Sequence, residues 1–358
     1  MALLPMHLLA LNKDSTLPWR QAISSGIAVA VPALIGLAQH KPVGALMGAV
    51  GGLYASLLDY GGNARHRLAT QSFGLALIVS SGALGLWLGP HHIMMFVLLA
   101  LLTFGTGWTD GLGVALENIF RFAALALVLY AYLPAPPAAA FLYLALGIAV
   151  GVTSILIDDK LYPRPMPRQH QGLRNGFRRM RAGHNAGVWH AVGFCVTSCL
   201  ALWVAQHAHY PRPAWVTAVV LFVMRPDGLD SLTRLFRSVF GALVGVALAW
   251  LVTHLTPQTW ALYAWTVAFA ALRPVAMVRN FWGHYALMTA MLMVLFDILL
   301  LPEGKAAGAS ILWIRLHGVL LGAMIALLGM VTFNPQARGY FVDQLRQSRL
   351  AQWIKRAC

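Results

Sequence analysis

Residues 230–252 read DSLTRLFRSVFGALVGVALAWLV, a charged entrance that passes within about two turns into a long apolar run rich in Gly and Ala. Its phrase RLFRSVFG, at 234–241, is matched by RLATQSFG at 67–74, so that Arg, Leu, Phe and Gly recur 167 residues apart. The same offset relates Ala38, Gln39 and His40 to Ala205, Gln206 and His207, and Leu88 and Pro90 to Leu255 and Pro257. One spacing kept through three separated segments without a gap points to an internal duplication. A period this long means a duplicated domain rather than a solenoid repeat.

The chain of 358 residues is 59% hydrophobic and only 10% charged, with a mean hydropathy of +0.68. That composition belongs to membrane proteins. A hydrocarbon core about 30 Å thick needs roughly 20 apolar residues per helical span, and about twelve such stretches can be laid down. Six fall at 20–38, 42–60, 66–88, 92–108, 112–133 and 138–158; six more fall at 186–206, 213–225, 230–254, 258–275, 280–301 and 309–332. Closed β-barrels alternate apolar and polar residues, whereas runs such as LALIVSSGALGLWLG are continuous. The predicted class is therefore all-α. The opening MALLPMHLLAL has its Lys13 after the apolar run, the wrong order for a secretory signal, and reads as an interfacial segment.

Basic residues set the orientation, because loops rich in Lys and Arg stay cytoplasmic. With the N-terminus inside, Arg65, Arg67, Arg225, Arg234, Arg237, Arg273, Arg279 and the arginine-rich stretch KLYPRPMPRQHQGLRNGFRRMRAGHN all fall on one face. Only Lys41, Arg212 and Lys305 fall on the other. The expected architecture is a six-helix membrane repeat (1–159), a basic cytoplasmic linker (160–185), a second six-helix repeat (186–332) and a basic cytoplasmic tail (333–358). An even helix count per half makes the repeats parallel, related by an axis along the membrane normal, as a single-chain pseudo-dimer. The formal net charge of +15 lies along one face, where anionic lipid headgroups attract it; nucleic acid is not the expected partner.

A basic residue opening a helix that runs into Phe-Gly and small residues, once per half, resembles the fusaric acid resistance protein family. That family includes bacterial aromatic acid exporters and, more distantly, plant aluminium-activated malate transporters. RPAWVTAVVLFVMRPD (212–227), the quoted 230–252 stretch and WIRLHGVLLGAMIA (313–326) carry the likeness. The short linker departs from the large soluble domain of the family's bigger exporters. The resemblance implies inner-membrane export of small organic anions such as aromatic carboxylic acids, driven by the proton gradient, with a periplasmic adaptor as a possible partner. A passive anion channel and a non-transporting assembly partner of an envelope complex are the rival readings.

Ionisable residues inside apolar helices are costly and pair or line watery paths. Arg67 and Arg234, in matching places, with Arg237 and Arg273, are the candidate substrate-binding cations at an inner vestibule. Helix-end anchoring is the alternative for each, and for Arg234 a pair with Asp230, four residues earlier, would also hold the helix entrance. Asp297 and Arg315, expected at comparable depth in the outer half, form either a structural ion pair or a proton switch, with His317 nearby as a further proton-coupling candidate. Glu117 and Arg121, four apart, can pair along the fifth span. There is no Walker loop or dinucleotide phrase, the His-rich loops lack metal-ligand partners, and three cysteines give no disulfide framework. The chain is read as a non-enzyme without metal or cofactor.

Overall fold

The computed structural model describes residues 16–60, 64–133, 138–161, 173–256, 258–300 and 305–339. The interfacial reading of the N-terminal segment and most of the tail therefore lie outside the described residues. The regular elements are α1 (Trp19–Ala38), α2 (Pro42–Leu57), α3 (Ala64–Leu88), α4 (Ile93–Thr109), α5 (Val114–Ala131), α6 (Ala138–Leu161), the short α7 (Leu173–Arg181), α8 (Val188–His207), α9 (Pro213–Val223), α10 (Gly228–Leu255), α11 (Thr259–Arg279), α12 (Phe281–Leu300) and α13 (Lys305–Phe333). Eight of them are long and apolar enough to cross a membrane, which makes the chain an all-α polytopic membrane protein. Four apolar helices are shorter: α2, α4, α9 and the Phe281–Leu295 part of α12.

Local chemistry places the ends. Pro42 and Pro213 each occupy the first turn of α2 and α9, where proline's missing N–H costs nothing. The bends before them turn on His40 and His209, both left-handed at φ 55° and 50°. At the α4–α5 turn Asp110 is followed by Gly111 at φ 82°, a conformation glycine adopts without the Cβ penalty.

Helices pair in a recurring order. α2 packs on α1 and α6, α3 on α5, and α4 on α5; likewise α9 packs on α8 and α13, α10 on α12, and α11 on α12. Between the two sets α4 packs on α8 and α11 on α1, while α5 meets α9 and α12 meets α2. The glycines of the repeated phrase sit where two of these pairs cross. A Cβ on Gly74 of α3 would come 3.0 Å from Ile119 of α5, and one on Gly241 of α10 would come 2.5 Å from the Trp282 carbonyl of α12. Backbones approach this closely only where side chains are small, the usual device for helix packing in lipid. The constant spacing does not extend to every element: α5 and α12 start 167 residues apart, at Val114 and Phe281, but α2 and α9 start 171 apart, at Pro42 and Pro213.

Short α2 and α9 are buried nearly along their whole length, whereas α1 turns Ile23, Ile27 and Leu34 outward. A helix enclosed by others need not span the lipid itself, because irregular backbone is tolerated where protein surrounds it. The residues that follow α2 and α9, Asp59 with Tyr60 and Arg225 with Pro226, use that tolerance to bring polar groups inside.

Candidate anion-binding cavity

Four helices, two from each set, enclose a cavity of about 140 Å³: α2 and α9, with α5 and α12. Its wall is largely apolar, and Tyr54, Phe122, Trp215, Phe222, Phe281 and Tyr285 supply its aromatic surface. Phe122 of α5 and Phe222 of α9 meet across the sets with centroids 5.2 Å apart. Aromatic rings of this kind offer large apolar area and a face that accepts planar partners.

Arg315 enters this wall from α13. It is 5% exposed, lies 5.3 Å from the centroid of the Trp215 ring and hydrogen-bonds the Tyr285 hydroxyl. Among the described side chains it makes no ion pair, and its Nε, like Thr289 Oγ1 and His284 Nδ1 on the same wall, has no hydrogen-bond partner. Buried polar atoms are nearly always paired, and a buried cation without a carboxylate is costlier still. The wall therefore combines aromatic surface with one guanidinium able to hold a carboxylate in bidentate fashion.

Arg273 is the second such cation. It lies in α11, 4% exposed, with Nη2 donating to Ser56 Oγ at 3.3 Å and Nε unpaired. His284, on the cavity wall, is held near it through the Arg273 carbonyl.

The other candidates are placed differently. Arg67 is fully buried within the first set, where Nε and Nη2 donate to the two oxygens of Asp59 at 2.9 and 2.8 Å and Asp159 stands at 3.4 Å. Arg234 donates to Asp230 Oδ2 at 2.8 Å and lies over the Phe281 ring, behind the cavity wall. Arg237 is half-buried on α10 and is not among the lining residues. His317 is exposed, with its ring against Trp313 and Nδ1 bonded to the Trp313 carbonyl. The Asp297 side chain lies outside the described residues; its backbone is twelve residues beyond Tyr285 on α12, about 18 Å along the axis.

Glu117 and Arg121 do not pair along α5. Arg121, wholly buried, binds Asp110 Oδ1 and the Met224 carbonyl, while Glu117 binds Arg225 Nη1 at 2.6 Å and the Gly111 N–H at 2.8 Å. The turn after α4 and the bend after α9 each bring a better-placed partner than the neighbour one helical turn away. His190 Nε2 completes the group at 2.9 Å from Asp110 Oδ2. Burial raises the Asp110 pKa, but Arg121, His190 and Arg225 together outweigh that and hold it below the ordinary carboxylate value. Burial, with repulsion from Arg121 and Arg234, lowers Arg225 to about 10 against the pull of Asp110 and Glu117.

Sequence reasoning missed Asp59 and Asp110 as partners. The available signal was Arg121 itself, since an arginine in the middle of an apolar span requires an acid. Among the described residues no group of three or more His, Cys, Asp or Glu is placed to hold a metal.

The family model described as fusaric acid resistance protein-like matches residues 200–329, from the end of α8 through most of α13. That segment supplies Trp215, Phe222, Tyr285 and Arg315 to the cavity. The match carries no relation to the plant malate transporters. Neither the curated proteins nor the solved structures gave a match to the chain.

Proposed function

We propose that this membrane protein exports small organic anions, aromatic carboxylic acids among them, across a bacterial inner membrane, with the proton gradient as the driving force. The route runs through the central cavity, between two six-helix halves that arose by duplication and lie parallel as a single-chain pseudo-dimer with both termini cytoplasmic. The recurring order of helix contacts supports the duplication, and the partial family match supports a transport role. Arg315 is the observation that carries the substrate reading: a buried guanidinium without a carboxylate partner among the described side chains, set in an aromatic wall. A planar carboxylate satisfies the cation and stacks its ring on the wall, and Arg273 extends the positive surface toward the inner end.

The test is transport by the purified protein in liposomes, with a panel of aromatic and dicarboxylic acids and an imposed pH step. Saturable, pH-driven benzoate flux is expected. A charge-assisted hydrogen bond is worth about 1.5–3 kcal/mol, so Arg315→Gln should lower the flux at least about tenfold. Wild-type flux in that variant, or no flux above empty liposomes, removes the reading; flux indifferent to the pH step makes the protein a passive channel.

A further inference from the structure

We infer that Asp110 and His190 form a proton-binding site in the contact between α4 and α8, and that the proton they hold clamps the two helix sets together. The inference deepens the exporter reading by naming where the coupled proton sits, and it rests on that reading for this role.

Two helix sets meet at the site. Asp110 ends α4 and His190 lies in the first turn of α8. The Asp110 side chain is wholly buried and divides its two oxygens between different partners. Oδ1 takes Arg121 Nη2 and stands 3.6 Å from Arg225 Nη1, while Oδ2 faces His190 Nε2 at 2.9 Å. The surrounding charges come from several neighbouring elements. α5 supplies Glu117 and Arg121, the bend after α9 supplies Arg225, and α10 supplies Arg234 with its partner Asp230. From α7, Arg179 donates to the Leu112 carbonyl beneath the turn. Asp110 and Glu117 cancel Arg121 and Arg225, so with a neutral imidazole the inner group has no net charge.

His190 is the member that can change this balance. An imidazole is the one side chain whose charge ordinarily changes between pH 5 and 8. A neutral ring that donates from Nε2 to Asp110 leaves its Nδ1 lone pair for a proton from water, and the His190 side chain is 11% exposed where Asp110 and Arg121 are closed off. Once protonated, the ring meets the ionised Oδ2 as a cation, a stronger contact than the neutral N–H makes to the same carboxylate, with Arg121 and Arg225 across the carboxylate on the other oxygen. Losing the proton weakens the same bond. Protonation therefore fastens α4 to α8, and deprotonation loosens the contact between the sets.

Matching positions elsewhere carry no such pair. Asn280 ends α11 as Asp110 ends α4, and Gln21 is the third residue of α1 as His190 is of α8. Neither titrates. Among the described residues the pair occurs in this contact and not in its counterpart, so its protonation acts on one side of the cavity.

Hydrogen–deuterium exchange of the full-length protein in lipid nanodiscs tests this without any substrate. After correction for intrinsic exchange, amides 111–116 and 188–194 of the wild type should gain at least fivefold protection between pH 8 and pH 5. His190→Gln keeps an N–H donor for Asp110 but cannot titrate, and it should show the same protection at both ends. An unchanged pH response in His190→Gln overturns the proposal. In proteoliposomes the same variant should lose the pH-driven component of benzoate flux, and retention of that component also overturns it. Benzoate binding to the wild type, measured by calorimetry, reports on the cavity separately. Failure to bind, with the exchange result intact, removes the exporter reading and leaves the proton site standing.

Discussion

Two contacts join the helix sets, and corresponding positions in them carry different chemistry. Where α4 and α5 meet α8 and the bend after α9, Asp110, Glu117, Arg121 and Arg225 form three ion pairs, two of them across the sets. Where α11 and α12 meet α1 and the end of α2, the same places in their elements hold Asn280, His284, Met288 and Asp59. Asp59 there turns back to Arg67 within its own set. Arg273 is left with Ser56 Oγ and no carboxylate among the described side chains. A buried ion pair is a poor source of net stability, yet losing one partner is strongly destabilising. The first contact is thus sensitive to any change of charge, and the second is apolar enough to act as its passive counterpart around the same cavity.

The largest expected effect separates the two contacts. Asp110→Asn leaves Arg121 buried beside a neutral group and should lower stability by about 3–5 kcal/mol, read as a fall in the thermal midpoint of the detergent-solubilised protein. Asn280→Ala, at the matching place, should cost no more than about 1.5 kcal/mol. Equal losses would break the comparison. Acid should produce part of the first loss without mutation. Because Asp110 is held below its ordinary value of 3.8, its contribution is complete above that pH and disappears as pH falls through the lower folded value. The Asp110→Asn variant should show a flatter acid limb in the same assay.

A smaller effect of opposite sign sharpens the contrast. Arg273→Met removes a buried cation that no described carboxylate balances, and replacing buried charge by a packed apolar side chain is often neutral or stabilising by about 1–4 kcal/mol. The thermal midpoint should hold or rise. A marked fall would mean that the second contact depends on charge as much as the first.

Much of the helical layout was legible in sequence because lipid demands continuous apolar runs, and those runs are visible from 20–38 to 309–332 without knowledge of packing. The repeated Arg, Leu, Phe and Gly pointed to a duplication; that its glycines, Gly74 and Gly241, sit at helix crossings was not legible until the helices were packed. The four shorter helices were less legible, since hydropathy alone does not distinguish a buried helix from a spanning one.

For the site, Arg273 and Arg315 could be singled out as charges in apolar helices, but their surroundings could not. Trp215 reaches Arg315 from a helix about a hundred residues away, and no periodicity records that. Pairing along one helix was the natural local reading for Glu117 and Arg121, yet distant chain segments bring Asp110 and Arg225 to them instead. Arg67 shows the same lesson, since Asp159 joins it from the far end of α6.

The central claim is that an aromatic carboxylate occupies the cavity with its charge on Arg315. A cryo-EM map of the protein in nanodiscs with 4-iodobenzoate tests it most directly. The expected result is iodine density in the cavity against the contacting pair Phe122 and Phe222, with the carboxylate against the Arg315 guanidinium. Trp250 of α10 and Trp313 of α13 are exposed and line a separate groove; iodine density confined there, with the central cavity unchanged, would contradict the claim.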